Sequence, residues 1–129
     1  MFLKAGLLSL AKRMGAGEID TLVCVNVNPV YNAPCDVDFA NLFERVPNTI
    51  AMSTESTETA LSASWGLDGA HALESWGNTE AADGTIAPMQ PMIAPLYGSW
   101  SELELLAFLA GAAGGAKPDG YAIVRDAWK

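Results

Sequence analysis

The chain is poor in the residues that build reactive centres. It has one histidine and two cysteines. A lone histidine leaves a single possible base for a Ser-His-Asp triad, and no G-x-S-x-G elbow supplies the nucleophile. No C-x-x-C occurs, so neither a zinc ribbon nor an iron–sulfur cluster has its usual ligand spacing. The two thiols, Cys24 and Cys35, are expected to be reduced rather than part of a disulfide scaffold. Positive charge is scarce as well. Lys and Arg number 7 against 15 Asp and Glu, and the net charge is −8. No basic residue falls between Arg45 and Lys117, whereas Glu55, Glu58, Asp68, Glu74, Glu80, Asp83, Glu102 and Glu104 all do. Such a field repels nucleic acid and anionic membrane surfaces. Long apolar runs are missing too. The longest, Leu103 to Ala113, is interrupted by Glu104 and is too short to span a bilayer, so no direct membrane insertion is expected. The opening M-F-L-K-A-G-L-L-S-L-A-K-R is broken by Lys12 and Arg13 and followed by no small-residue cleavage site. A signal peptide is therefore not expected, and a cytoplasmic location is the default.

What the chain does have is apolar surface. Of its 129 residues 50% are hydrophobic and only 17% charged. That suffices for one domain with a real core, with apolar surface left over for a partner. Leu3, Leu7, Leu10 and Met14 recur at helical spacing, predicting an amphipathic helix from Phe2 to about Met14 that Gly15 and Gly17 end. The stretch from Thr21 to Asp38 organises the rest of the chain. Leu22 to Val27 is an apolar, β-branched run that reads as a strand buried on both faces. Asn28-Pro29 breaks it, because proline offers no N–H to a ladder. A polar loop comes next, and Asp36 is placed to cap a helix starting at Val37. That helix carries Phe39, Leu42, Phe43 and Val46 on one face and stops at Pro47. Thr49 to Met52 is a second strand candidate, and the Ser/Thr-rich run from Ser53 to Thr59 favours a capped single-turn helix.

From Ser62 to Gly98 the sequence is irregular, punctuated by glycines and by Pro88, Pro91 and Pro95. Thr85 to Leu96 cannot form a central strand and reads as an edge strand or an extended arm. Order returns at Ser99, where S-W-S-E fits a capping box with Ser99 at the cap and Glu102 at the third helical position. The helix runs to about Ala110, and Gly111 to Gly115 form a stop and linker without the G-K-[ST] of a phosphate cradle. A last helix runs from about Gly120 to Trp128. The expected fold is α/β: a three-layer sandwich with a short, mainly parallel sheet, Leu22–Val27 at its centre, flanked by helices, with a Gly/Pro-rich irregular middle. A loop beyond the carboxyl end of a strand is where such sheets bind ligands, which places a candidate site at Asn28-Pro29.

The order of motifs resembles the molybdopterin oxidoreductase superfamily. The residues that carry this are Asn28-Pro29-Val30-Tyr31-Asn32-Ala33-Pro34, Glu58-Thr59-Ala60, His71-Ala72-Leu73-Glu74-Ser75-Trp76-Gly77, Asp83-Gly84-Thr85, Gln90-Pro91, Ile93-Ala94-Pro95-Leu96-Tyr97 and Gly120-Tyr121. The part it looks like is the dinucleotide-binding-type α/β domain, and most of all that of the large iron–sulfur subunit of bacterial alternative complex III, a branch without the molybdenum site. The resemblance implies a loop at Asn28-Pro29 that in molybdopterin enzymes helps hold the cofactor's nucleotide end. Relatives of this type are many times longer, carry cluster-binding domains, and are exported to a membrane complex. The chain resembles one such domain standing alone.

Candidate cofactor-binding residues are therefore Asn26, Asn28, Pro29, Tyr31 and Asn32, with His71 and Glu74 in the middle segment. Each has a structural reading beside it. The asparagines satisfy loop backbone groups. Asp36 and Asp38 compete with a phosphate at the helix start, and no cation is near in sequence. They also oppose a lowered pKa at Cys35. His71 and Glu74, three apart, could share a helix face as half a metal site or an acid–base pair. With no second ligand pair, His71 instead ties down the middle segment by hydrogen bonds. No catalytic residue, metal site or bound cofactor is expected. The expected role is a non-catalytic structural or interaction domain that forms a homodimer or docks to other redox-subunit domains. The alternative is a small-molecule binder that retains a nucleotide or pterin cleft.

Overall fold

A computed structural model describes residues 2–111 and 114–129, with side chains from residue 6 onward in the first helix. Leu3's side chain, and Ala112 and Ala113 of the apolar stretch and glycine-rich linker, lie outside the described residues. The chain divides into two compact units, one ending at Leu67 and one from Asp68 to Lys129.

The first unit opens with helix α1, Phe2–Gly15. Ala11 and Met14 are buried, and Leu7 and Leu10 pack against the same core, as the helical spacing requires. Gly17 leaves the helix at φ 71°, and Arg45 donates through Nη2 to the Gly15 carbonyl at 3.2 Å, satisfying a helix-end acceptor. Strand β1, Thr21–Val25, then pairs in parallel with β2, Asn48–Ser53, in the register Thr21↔Asn48 to Val25↔Met52. Between them the chain crosses through α2, Pro29–Asn32, and α3, Phe39–Glu44. After β2 come α4, Glu58–Ser62, and strand β3, Trp65–Asp68, which completes a three-stranded sheet of order β1-β2-β3. The core gathers Met14, Cys24, Phe39, Phe43, Val46 and Ala51. Phe39 and Phe43 stack at 6.1 Å between ring centroids. Thr49, buried within β2, is satisfied by the Ser64 backbone N–H at 2.8 Å.

In the second unit the Trp100 backbone N–H donates to the Asp68 carbonyl at 3.0 Å, and Ala70 donates to the Trp100 carbonyl at 2.8 Å. A 3₁₀ turn, Ala72–Glu74, precedes an antiparallel ribbon of β4, Gly77–Glu80, and β5, Ile86–Met89. The ribbon's loop turns at Gly84, φ 83°, with the Asp83 carboxylate accepting from the Thr85 N–H at 2.9 Å. Helices α5, Glu102–Leu109, and α6, Gly120–Ala127, complete the unit. Asp119 caps α6 by accepting from the Tyr121 N–H at 3.0 Å.

The α/β class and the short, mainly parallel sheet expected from the sequence are present. Several details differ. β2, not β1, is the central strand. β1 also ends at Val25 instead of Val27, because Asn26 turns into the left-handed region at φ 49°. The loop after it is partly helical, since Pro29 suits a first helical position. The next helix starts at Phe39, capped by Asp38 and not by Asp36; Asp38 Oδ1 accepts from the Asn41 N–H at 3.3 Å. The box at α5 uses Ser101 and Glu104, two residues later than Ser99 and Glu102. Among the described residues no helix is long and apolar enough to cross a membrane.

Candidate functional site

Both parallel strands of the first unit end at the same side, and the two exits wall a cavity of about 810 Å³. The β1 exit contributes Asn26, Val27, Asn28 and Pro29. The β2 exit contributes Ser53, Thr54, Glu55 and Thr57. Leu7 and Leu10 of α1, Leu22 to Cys24 of β1, and Asn32, Ala33 and Phe39 complete the wall. A volume of this size lies within the range of small-molecule sites, roughly 300–1,000 Å³. Its position, beyond the carboxyl ends of parallel strands, is the one at which α/β sheets bind ligands.

The polar groups at this mouth are largely committed to holding the two exits together. Asn28 Oδ1 accepts from the Thr59 hydroxyl at 2.8 Å and from the Thr59 N–H at 3.2 Å. Asn28 Nδ2 donates to Glu58 Oε2 at 2.7 Å. The Thr59 hydroxyl, fully buried, accepts in turn from the Val30 N–H at 3.1 Å. The Asn28 side chain thus splices the loop after β1 onto the start of α4. Its donation, together with the backbone N–H of Glu58 itself, holds the Glu58 carboxyl below its ordinary pKa. Thr57 caps α4 by accepting from the Ala60 N–H at 3.2 Å. The Ser53 hydroxyl donates to the Glu55 carbonyl and accepts from the Glu55 N–H at 3.1 Å, which fixes the backbone at the rim. Burial pushes the Cys24 thiol above its ordinary pKa, so at neutral pH it is a protonated apolar wall and not a nucleophile. Cys35 is exposed.

Of the residues proposed from the sequence, Asn26, Asn28, Pro29 and Asn32 line the cavity. Tyr31 stands 73% exposed and is not among its lining residues. His71 and Glu74 belong to the second unit and are engaged with each other. Glu74 Oε2 accepts from the His71 N–H at 3.3 Å, and His71 Nδ1 accepts from the Leu73 N–H at 3.2 Å. They form a reciprocal cap on the 3₁₀ turn, with imidazole where serine or threonine is usual. These bonds lie within the turn from His71 to Glu74 and close the turn itself. Sequence reasoning missed the β2 exit, Ser53 to Thr57. Its signal was present, because an apolar strand followed by a polar capped turn repeats the pattern after β1.

A smaller pocket of about 420 Å³ in the second unit is lined by Glu74, Glu104, Asp119 and Trp76 among others. Its carboxylates are used within the fold. Glu74 serves His71, Glu104 accepts from the Ser101 N–H at 2.9 Å and pairs with Lys117 at 3.4 Å, and Asp119 caps α6. Among the described residues no three His, Cys, Asp or Glu side chains converge as metal ligands. No protein-family model matches the chain, and no curated protein matches it.

Proposed function

We propose that the chain is a non-catalytic interaction domain, of the redox-subunit kind its motifs resemble, and that it docks to a second copy of itself. One observation carries this reading. From Ile86 to Tyr97 the chain exposes Ile86, Met89, Met92, Ile93, Leu96 and Tyr97 in succession. This arm belongs to a ribbon of only two strands, β4 and β5, and is tethered beyond it by the Met92 and Ile93 N–H groups donating to the Leu73 carbonyl at 2.8 and 3.2 Å. A contiguous apolar segment with few partners of its own marks an interaction surface. A two-fold pair is the commonest closed solution, and exchange of an arm is a low-cost route to it. The net charge of −8 opposes growth beyond a discrete assembly.

Light scattering coupled to size exclusion is expected to give the mass of a dimer. Met92→Asp is the cleaner disrupting variant, because Met92 is 77% exposed, whereas the Met89 side chain reaches over Gly77. It is expected to yield monomer. A wild-type monomer persisting at high micromolar concentration overturns the reading.

A second reading, small-molecule binding in the cleft beside Asn28-Pro29, is favoured by the size and place of the cavity. A ligand at a hundred times its dissociation constant would stabilise the fold by about 2.7 kcal/mol. Guanine nucleotides in a thermal-shift series test the nucleotide form of that reading directly.

A further inference from the structure

The cavity is chemically one-sided, and its charge points to a class of ligand. Among the described residues Glu55 is the sole charged residue on its wall, and neither lysine nor arginine lines it. Three polar side chains of the wall are already engaged: Asn28 with Thr59 and Glu58, Thr57 with the Ala60 N–H, and Ser53 with the Glu55 backbone. The Glu55 carboxylate itself has no hydrogen bond or ion pair among the described residues. The deeper wall is aliphatic and aromatic, with Leu10, Leu22, Val23 and Phe39. Among the described residues a phosphate would meet a carboxylate and no cation there. An apolar body would bury against the deeper wall, and a protonated amine at its end would meet Glu55 at the rim.

We propose that the cavity binds a small cationic amphiphile, an apolar body bearing one primary amine, with Glu55 as the counter-charge. The proposal rests on the small-molecule reading of the cleft and replaces its phosphate-bearing ligand with an amine-bearing one.

The test uses three probes of one chain length, octylamine, octanol and octanoate, titrated calorimetrically into the full chain at neutral pH. Octylamine is expected to bind at a single saturable site, at least about threefold tighter than octanol and about tenfold tighter than octanoate, the range an accessible ion pair provides. In Glu55→Gln the amine is expected to fall to the octanol value. That substitution changes the net charge of −8 by one, so attraction by the overall field would survive it. Val27→Trp, at a cavity-lining position 54% exposed, is expected to narrow the mouth and weaken all three probes while leaving the fold intact. Equal binding of the three probes overturns the amine assignment and leaves the cleft as a site. An amine preference that persists in Glu55→Gln also overturns it. Absence of binding by any probe overturns both the assignment and the small-molecule reading beneath it.

Discussion

In the first unit Ala11, Met14, Cys24, Phe39, Phe43, Val46, Ala51 and Met52 are buried; in the second, among described apolar side chains, Leu105, Pro118 and Val124 alone reach that state. The exposed large apolar residues run the other way. Val27, Tyr31, Leu61 and Trp65 belong to the first unit, whereas Leu73, the arm from Ile86 to Tyr97, Leu106, Phe108, Leu109, Tyr121 and Trp128 belong to the second. The second unit is held instead by polar and aromatic pairs. Lys117 Nζ donates to the Ser99 carbonyl at 2.8 Å and lies 5.5 Å from the Trp100 ring. Trp128 donates to Asn78 Oδ1 at 2.9 Å, and Trp76 meets Tyr121 at 4.9 Å. Two stretches of similar length thus reach order by different means. One withdraws apolar area from water; the other relies on directional contacts worth about 1 kcal/mol each.

The largest expected effect tests that contrast directly. Phe43→Ala, at a fully buried position, is expected to cost roughly 3–5 kcal/mol in urea denaturation. Leu105→Ala should fall near the lower end of the roughly 2–5 kcal/mol typical of such truncations, because neighbouring side chains at the surface can close over the gap. Equal losses at the two positions would erase the distinction between the units.

How much of this was legible in the sequence tracks the same division. The strand β1, the amphipathic spacing of α1 and the start of α6 near Gly120 could all be read, because apolar periodicity and chain-breaking residues report locally. Which strand is central could not. Thr49, Ala51 and Met52 are no more apolar than Leu22 to Val25, and only the pairing of β2 on both of its edges makes it central. At S-W-S-E-L-E two capping boxes overlap, and sequence alone favours neither. Tertiary pairing decides it: Trp100 is drawn into backbone bonds with Asp68 and Ala70, so the helix waits until Ser101. The β4–β5 ribbon was hidden by its weak strand formers, although Asp83-Gly84 is a turn signal. The candidate site was half legible. Asn28-Pro29 pointed to it, but the second wall comes from a strand more than twenty residues later, which only parallel pairing brings alongside.

The next expected effect sharpens the contrast from the other side, since the first unit also has one polar node. Thr59→Val keeps the volume but strands the Val30 N–H and removes the hydroxyl that donates to Asn28. A loss of roughly 1–3 kcal/mol is expected. In the second unit Ser101→Ala removes the acceptor of the Glu104 N–H and should cost about 1 kcal/mol, with Ser101→Asp restoring most of it. Chemical denaturation of the three variants at one pH measures both. A Thr59→Val protein as stable as wild type would mean the splice between the strand exits is not structural.

The smallest effect lies in acid and involves both units. The Asn28 amide holds the Glu58 carboxyl below its ordinary pKa, the Thr85 N–H does the same for Asp83, and Lys129 does so for Asp126. A carboxyl whose folded pKa is depressed binds protons less readily when folded than when unfolded. It therefore contributes stability that is fully present above the unfolded value and is lost as pH falls through the folded one. All three groups are open to solvent, so each contribution is small and screened by salt. Glu58→Gln keeps the hydrogen bond to Asn28 and removes the charge. The wild type is expected to be the more stable of the two at neutral pH, and the gap should close as pH falls below the ordinary carboxylate range. Asp83→Asn should show the same closing gap for the second unit, through the Thr85 N–H. A Glu58→Gln gap that stays constant down to acid pH would mean that the Glu58 carboxylate acts by shape alone, and that its charge plays no part in joining the two strand exits.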